Sequence, residues 1–269
     1  MIKDITFGQY FPADSFIHKL DPRTKMLLLI AYIVFCFICN NVVSLGVFFV
    51  LLVFIMALSK ISLKLYLKNI KAILPIVILT AVLNLFYMRT GVVLVSFWKL
   101  VITDEGVLRA GFMAIRIIML ILSSAVFSYT TTPTSITNAI ESLLKPLSFI
   151  GLKSAVQNMA MIMTIALRFI PTLIEETDKL INAQKARGAD MESGGIIKRV
   201  KSMLPILIPL IISSFRRAYD LAESMECRCF GCSFDRTKYA VMKYKAIDFV
   251  SFGFFAVFGV TVIVLNKIF

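Results

Sequence analysis

Two short stretches carry the residues most capable of specific chemistry. Ala186-Arg187-Gly188 and Cys227-Arg228-Cys229 each set one arginine between two small residues at the end of a charged, helical run. The first run follows an apolar stretch containing Pro171, the second one containing Pro205 and Pro209. A guanidinium is a permanently charged planar fork that suits a carboxylate. A cation in the last turn of a helix is also favoured by the helix dipole by about 0.3–1 kcal/mol, so one such arginine has a purely local explanation. The dipole does not require small neighbours. These clear space for a helix tip to enter a groove, and the same layout occurs twice. Ala186, Arg187, Gly188, Cys227, Arg228 and Cys229 therefore read as a mechanical contact with another protein. Gly188 and Gly231 are the residues expected to take a positive φ and close the two runs.

Other candidate chemistry is thinner. Cys227, Cys229 and Cys232 have metal-like spacing but supply three thiols, and the single histidine, His18, lies on a distant segment. A closed zinc site takes four ligands, so no metal is expected. Glu175, Glu176 and Asp178 form an acidic cluster that a lipid-acting membrane enzyme would use, yet lysines follow them at helical spacing, as on a solvated helix. Phosphate-binding loops, zinc-protease helices and nucleophile elbows do not occur. No catalytic residue and no cofactor is expected. Arg116 sits inside an apolar segment, where a charge is a functional candidate or a snorkelling side chain. A stand-alone permease would show paired short spans or charged residues lining a midplane site; only Arg116 hints at one, and the chain shows no internal inverted repeat.

The elements that must hold the arginines are written in the composition. Of 269 residues 59% are hydrophobic, and the mean hydropathy is +0.86. This predicts an all-α integral membrane protein with about five transmembrane helices and a coupling-helix region on the membrane surface. The net charge of +13 comes from 29 Lys+Arg against 16 Asp+Glu. In a membrane protein this marks cytoplasmic segments and contact with anionic lipid rather than nucleic acid. The five cysteines are expected to stay reduced.

Residues 1–132 read as an N-terminal membrane domain with spans near 26–39, 42–58, 72–88 and 107–129. Asp21-Pro22 offers an N-cap with proline at N1, and Arg23 and Lys25 place the N-terminus inside. No cleavable signal peptide is expected. Asn40-Asn41 breaks the first two spans into a tight hairpin. Lys60, Lys64, Lys68 and Lys71 form a basic amphipathic stretch for the inner surface. Residues 89–105 carry no net charge and read as an outer loop, with Phe97 and Trp98 at the interface. Residues 133–245 alternate apolar faces and charged ends without an uninterrupted apolar run of span length. They read as cytoplasmic coupling helices that end in the two arginine motifs and need another apolar surface to cover them. Residues 246–269 hold a last transmembrane helix, with Asp248 at its inner edge.

Four stretches then carry a resemblance. They are Gly8-Gln-Tyr-Phe-Pro-Ala-Asp-Ser15 with His18-Lys-Leu-Asp-Pro-Arg-Thr-Lys25, Thr132-Pro133 with Ala139-Ile-Glu-Ser-Leu-Leu-Lys-Pro-Leu147, Arg168-Phe-Ile-Pro171, and the two arginine motifs. Together they span nearly the whole chain, which resembles the transmembrane (T) component of energy-coupling factor transporters, the vitamin and metal uptake systems of prokaryotes. The resemblance implies a multi-pass cell-membrane complex with two ATP-binding-cassette ATPases and a substrate-binding S component. It also implies that Ala186-Arg187-Gly188 and Cys227-Arg228-Cys229 dock into grooves on the ATPases. The second motif departs from the family's Ala-Arg-Gly pattern, because cysteine replaces both neighbours.

Overall fold

A computed structural model describes residues 10–87, 93–97, 100–146, 151–188, 195–231 and 242–268. Its elements are α1 (Pro22–Ile38), α2 (Val42–Ser59), α3 (Leu63–Tyr87), β1 (Val93–Phe97), β2 (Leu100–Thr103), α4 (Asp104–Thr130), α5 (Pro133–Leu144), α6 (Lys153–Ala186), α7 (Ile196–Glu226) and α8 (Ala246–Ile268). The chain divides into two compact units, and the boundary falls inside α5.

The first unit, residues 8–139 with 242–269, is a helix bundle. Its core joins Tyr32 and Cys36 of α1, Phe48 and Leu52 of α2, Tyr66 of α3, Met119 and Leu122 of α4, and Phe255 and Val262 of α8. Aromatic rings lock the contacts: Tyr32 and Phe48 lie 5.2 Å apart, and Phe35 lies 5.9 Å from both Phe48 and Phe255. α8 approaches α1 closely at Gly259, where an added Cβ would lie 2.8 Å from the ring tip of Phe35. A missing side chain is what allows that approach in a membrane bundle.

Among the described residues, five helices are long and apolar enough to cross a membrane: α2, α3 over Leu63–Leu85, α4, α6 and α8. The chain is a multi-pass, all-α membrane protein with one short hairpin. The membership of the five differs from the spans read in the sequence. α1 has 17 residues, about 26 Å of helix against a hydrocarbon core of about 30 Å. α6 qualifies because it runs unbroken for 34 residues through Pro171, which joins an apolar half and a charged half that look separate in sequence. Likewise the lysine-rich stretch from Lys64 onward and the third span form one helix, α3, continuous through Pro75, while Lys60 caps α2. The loop between α3 and α4 contains β1 paired antiparallel with β2, Val95 opposite Ile102 and Phe97 opposite Leu100. Trp98 lies outside the described residues. Thr103 then caps α4 by accepting a hydrogen bond from the Gly106 N–H.

The second unit, residues 140–241 among those described, is built on α6 and α7. Both are amphipathic, and little of either is buried: Ala160 in α6 and Ile206 in α7. Pro205 and Pro209 lie four residues apart on one face of α7 and do not interrupt it.

Candidate functional site

The two arginine motifs share one backbone geometry. α6 ends at Ala186, and Arg187 is its C-cap. Gly188 follows at φ +84°, and its N–H donates to the Lys185 carbonyl at 3.0 Å. α7 ends at Glu226, and Cys229 sits in the left-handed region at φ +56° directly after Arg228. There the Cys229 N–H donates to Glu226 O at 2.9 Å and the Phe230 N–H to Met225 O at 3.0 Å. Those two bonds define a Schellman motif in which the arginine stands immediately before the left-handed residue. At each tip the residue just after the arginine leaves the right-handed helical conformation.

The local chemistry explains this directly. The last carbonyls of a helix lack partners, and a left-handed residue lets the following N–H groups fold back to them. Glycine takes that conformation freely, whereas a Cβ makes it costlier, by roughly 1–2 kcal/mol. The sequence assigns the left-handed role at the second tip to Gly231. Gly231 is left-handed too, at φ +94°, but Cys229 is the residue placed like Gly188. The signal in the sequence is the positional match of Gly188 with Cys229. Ala186, Arg187, Gly188, Cys227, Arg228 and Cys229 are all exposed, and open space surrounds the positions where a Cβ would stand at Gly188 and Gly231. Each tip thus offers a cation flanked by low side chains.

Behind the tips, α6 and α7 are tied by polar contacts. Glu176 pairs with Arg217 and accepts a hydrogen bond from the Ser213 hydroxyl. This gives the acidic cluster a structural occupation. Its member Glu176 is committed across the helix pair, a partnership that spacing along one helix does not reveal. Among the described residues no group of three metal-ligating side chains is assembled, and Cys232 lies outside them.

The bundle holds a second set of polar residues, and these are turned inward. Arg116 is buried on α4, donates to the Cys39 carbonyl at the C-terminus of α1, and lies with its guanidinium carbon 4.7 Å from the Phe112 ring centre. It caps α1, where the dipole favours a cation, rather than snorkelling or lining a path. Asn266 of α8 closes the same end, donating to Ile38 O and accepting from the Asn40 N–H. At the opposite end Asp248 is 1% exposed and accepts from the backbone N–H groups of Asp21 and Lys245 at 2.9 and 2.8 Å. Asp21 itself caps α1 by accepting from the Arg23 N–H. Lys25 donates to Thr130 O at 2.8 Å. The His18 ring bonds Ser15 Oγ through Nδ1 and Phe11 O through Nε2, so Nε2–H donates to the carbonyl and Nδ1 accepts from the serine. Burial pushes the His18 pKa below its ordinary value, partly offset by the Phe11 carbonyl. The N-terminal motif residues are thus the knot that fastens the lead-in, α1, α4 and α8 at one end.

The chain is thus a multi-pass helical membrane protein with two matched, exposed arginine caps, and with its buried charges spent on its own helix ends. Comparison with known proteins names the family. The family model for cobalt transport protein, CbiQ, matches residues 13–239. The energy-coupling factor transporter transmembrane protein EcfT of Clostridium kluyveri is 48% identical over 252 residues, 93% of each chain. The EcfT protein of Ruminiclostridium cellulolyticum is 45% identical over 269 residues, the full length of both. That of Staphylococcus aureus is 38% identical over 251 residues, 93% of each. The chain belongs to this family of energy-coupling factor transporter transmembrane proteins, which are transport components and not enzymes.

Proposed function

We propose that the chain is the coupling subunit of an ATP-driven uptake transporter. It joins two ATP-binding-cassette ATPases to a substrate-binding S component that imports a vitamin or other micronutrient. The N-terminus and the tips of α6 and α7 face the cytoplasm. Arg187 and Arg228 each enter a carboxylate-bearing groove on one ATPase. When ATP draws the ATPases together the tips follow, the angle between α6 and α7 changes, and the S component riding on their apolar faces is reoriented.

The observation that carries this reading is the duplicated cap, in which an exposed arginine is held at a helix end and followed by a left-handed residue. A dipole-stabilising cation needs neither the small neighbours nor the repetition. A groove-entering tip needs both, and a planar guanidinium meeting a carboxylate supplies the directional contact.

The test is Arg187→Ala and Arg228→Ala, alone and together, in the assembled transporter. Uptake into cells or proteoliposomes is measured beside co-purification of the ATPases. The expected result is reduced uptake and weaker ATPase retention in each single variant, and near-background uptake in the double variant at normal membrane levels. Normal uptake by a double variant expressed at wild-type level would overturn the reading.

A further inference from the structure

The helix bundle contains an apolar cavity of about 400 Å³ that plays no part in the coupling proposed above. It lies between α1, α2, α4 and α8, with Tyr32, Leu52, Phe54, Val126, Phe254 and Phe255 in its wall. It occupies the end of the bundle that holds the starts of α1 and α8 and the finish of α4, the end fastened by Lys25, Asp21 and Asp248. Phe16, Phe54 and Phe254 in its lining are 43%, 49% and 44% exposed, so its wall is part of the bundle surface there, with the Phe54 and Phe254 rings 5.8 Å apart.

The one charged group in its wall, Lys25, donates to Thr130 O and His18 O, and its hydroxyls are bonded to backbone carbonyls. Ser123 Oγ donates to Leu120 O, Ser251 Oγ to Ile247 O, Thr130 Oγ1 to Phe127 O, and the Tyr32 hydroxyl to Phe48 O. Water requires two to four polar partners, and this wall offers it almost none. The volume falls in the range of small-ligand sites, so the space is more than a packing fault. In a bilayer the apolar material at hand is acyl chain.

The rim of the cavity is basic. α2 continues past Leu58, which lines the cavity, into Lys60. Tyr66, on the first turns of α3, packs on Tyr129 at the finish of α4 and shares a hydrogen bond with Ser59. That contact brings the start of α3 to the same end, and with it Lys64, Lys68 and Lys71. All four lysines are exposed, and no acid lies between residues 60 and 71. The two buried carboxylates of this end, Asp21 and Asp248, are both occupied by backbone N–H groups. Exposed Leu63 and Leu67 flank the lysines.

We propose that an anionic phospholipid occupies this site, with one acyl chain in the cavity and its headgroup against the lysine row. Neutral lipid fills the hydrocarbon part equally well. The lysines make the preference, as in other juxtamembrane polybasic segments. The lipid chain then fills the space that α1, α2, α4 and α8 leave among them.

The experiment uses the full chain, with any subunits that co-purify, in nanodiscs of phosphatidylglycerol or phosphatidylcholine. A trace of each lipid carries a photoactivatable acyl chain, and labelled peptides are mapped by mass spectrometry. The expected result is labelling of peptides containing Phe54 and Phe254, and a phosphatidylglycerol preference of about tenfold that Lys60→Gln, Lys64→Gln and Lys68→Gln together abolish. Val126→Phe and Ser251→Phe fill the cavity and are expected to remove the label. Should either fail to fold, the wild-type label map decides alone. Labelling confined to the outer faces of α2 and α8, or equal labelling in the filled variants, overturns the cavity assignment. A preference that survives the lysine changes overturns the headgroup assignment. Loss of label on assembly, with new cross-links to a protein subunit, gives the cavity to that subunit instead.

Discussion

The two units of this chain handle charge in opposite ways. In the bundle, Arg116, Lys25 and Asp248 are buried and spend their hydrogen bonds on backbone groups of neighbouring helices. In the α6–α7 unit, Arg187 and Arg228 are exposed at helix ends, and the apolar faces behind them are largely uncovered, with Ile208, Ile212 and Phe215 all more than half exposed. One unit turns its charges inward and the other presents them at its helix ends. The difference predicts where a mutation is felt, in stability or in transport.

The largest effect separates the two cleanly. Arg187→Ala with Arg228→Ala is expected to bring uptake near background while leaving the thermal midpoint of the purified chain unchanged, because neither side chain is buried. A fall in midpoint would blur the contrast. Asp248→Ala should do the reverse. It strands the buried Asp21 N–H and the part-buried Lys245 N–H and costs about 2 kcal/mol, read as a lowered unfolding midpoint, with Asp248→Asn as the milder replacement. Transport per folded molecule should then be close to normal. Cys229→Gly sharpens the comparison from the other side. It relieves a left-handed non-glycine residue and should stabilise the α7 tip by about 1 kcal/mol, seen as slower amide exchange in the last turn. ATPase docking should be unchanged or tighter.

The smallest effect is a pH dependence confined to the bundle. The folded state lowers the pKa of His18, chiefly by burial, so folding favours the neutral ring. That contribution is complete above the ordinary histidine value of about 6.5 and is lost as pH falls through the depressed folded value. The unfolding midpoint should therefore drop slightly on acidification, and His18→Gln should flatten the drop. A midpoint that rises on acidification would assign the wrong protonation state to the Ser15–His18–Phe11 chain.

Much of this contrast can be read from residue order, and what cannot has identifiable causes. The α1–α2 hairpin follows from Asn40-Asn41, and the arginine tips from their small neighbours. Helix continuity is harder to read. Pro171, Pro205, Pro209 and Pro75 look like punctuation, yet each removes one backbone donor and leaves the rest of the ladder to carry the helix. The apolar and charged halves of α6 therefore merge. Partnerships between distant segments are hidden altogether: Glu176 with Arg217, Asp248 with Asp21, and Arg116 with the end of α1 depend on packing that no spacing along one helix encodes. The hairpin of β1 and β2 is obscured because its short strands sit in a loop of mixed composition.

The continuity of α6 has a mechanical consequence. Thirty-four residues make a rod about 51 Å long. Turning it by roughly 10° about its far end sweeps Arg187 through about 9 Å at that length, more than the rise of a helical turn. The same gearing run backward converts a broad displacement at the tip into a small, forceful rotation near Lys153. Had Pro171 broken the helix, the inner half could swing without moving the outer one, and that leverage would be lost at the joint.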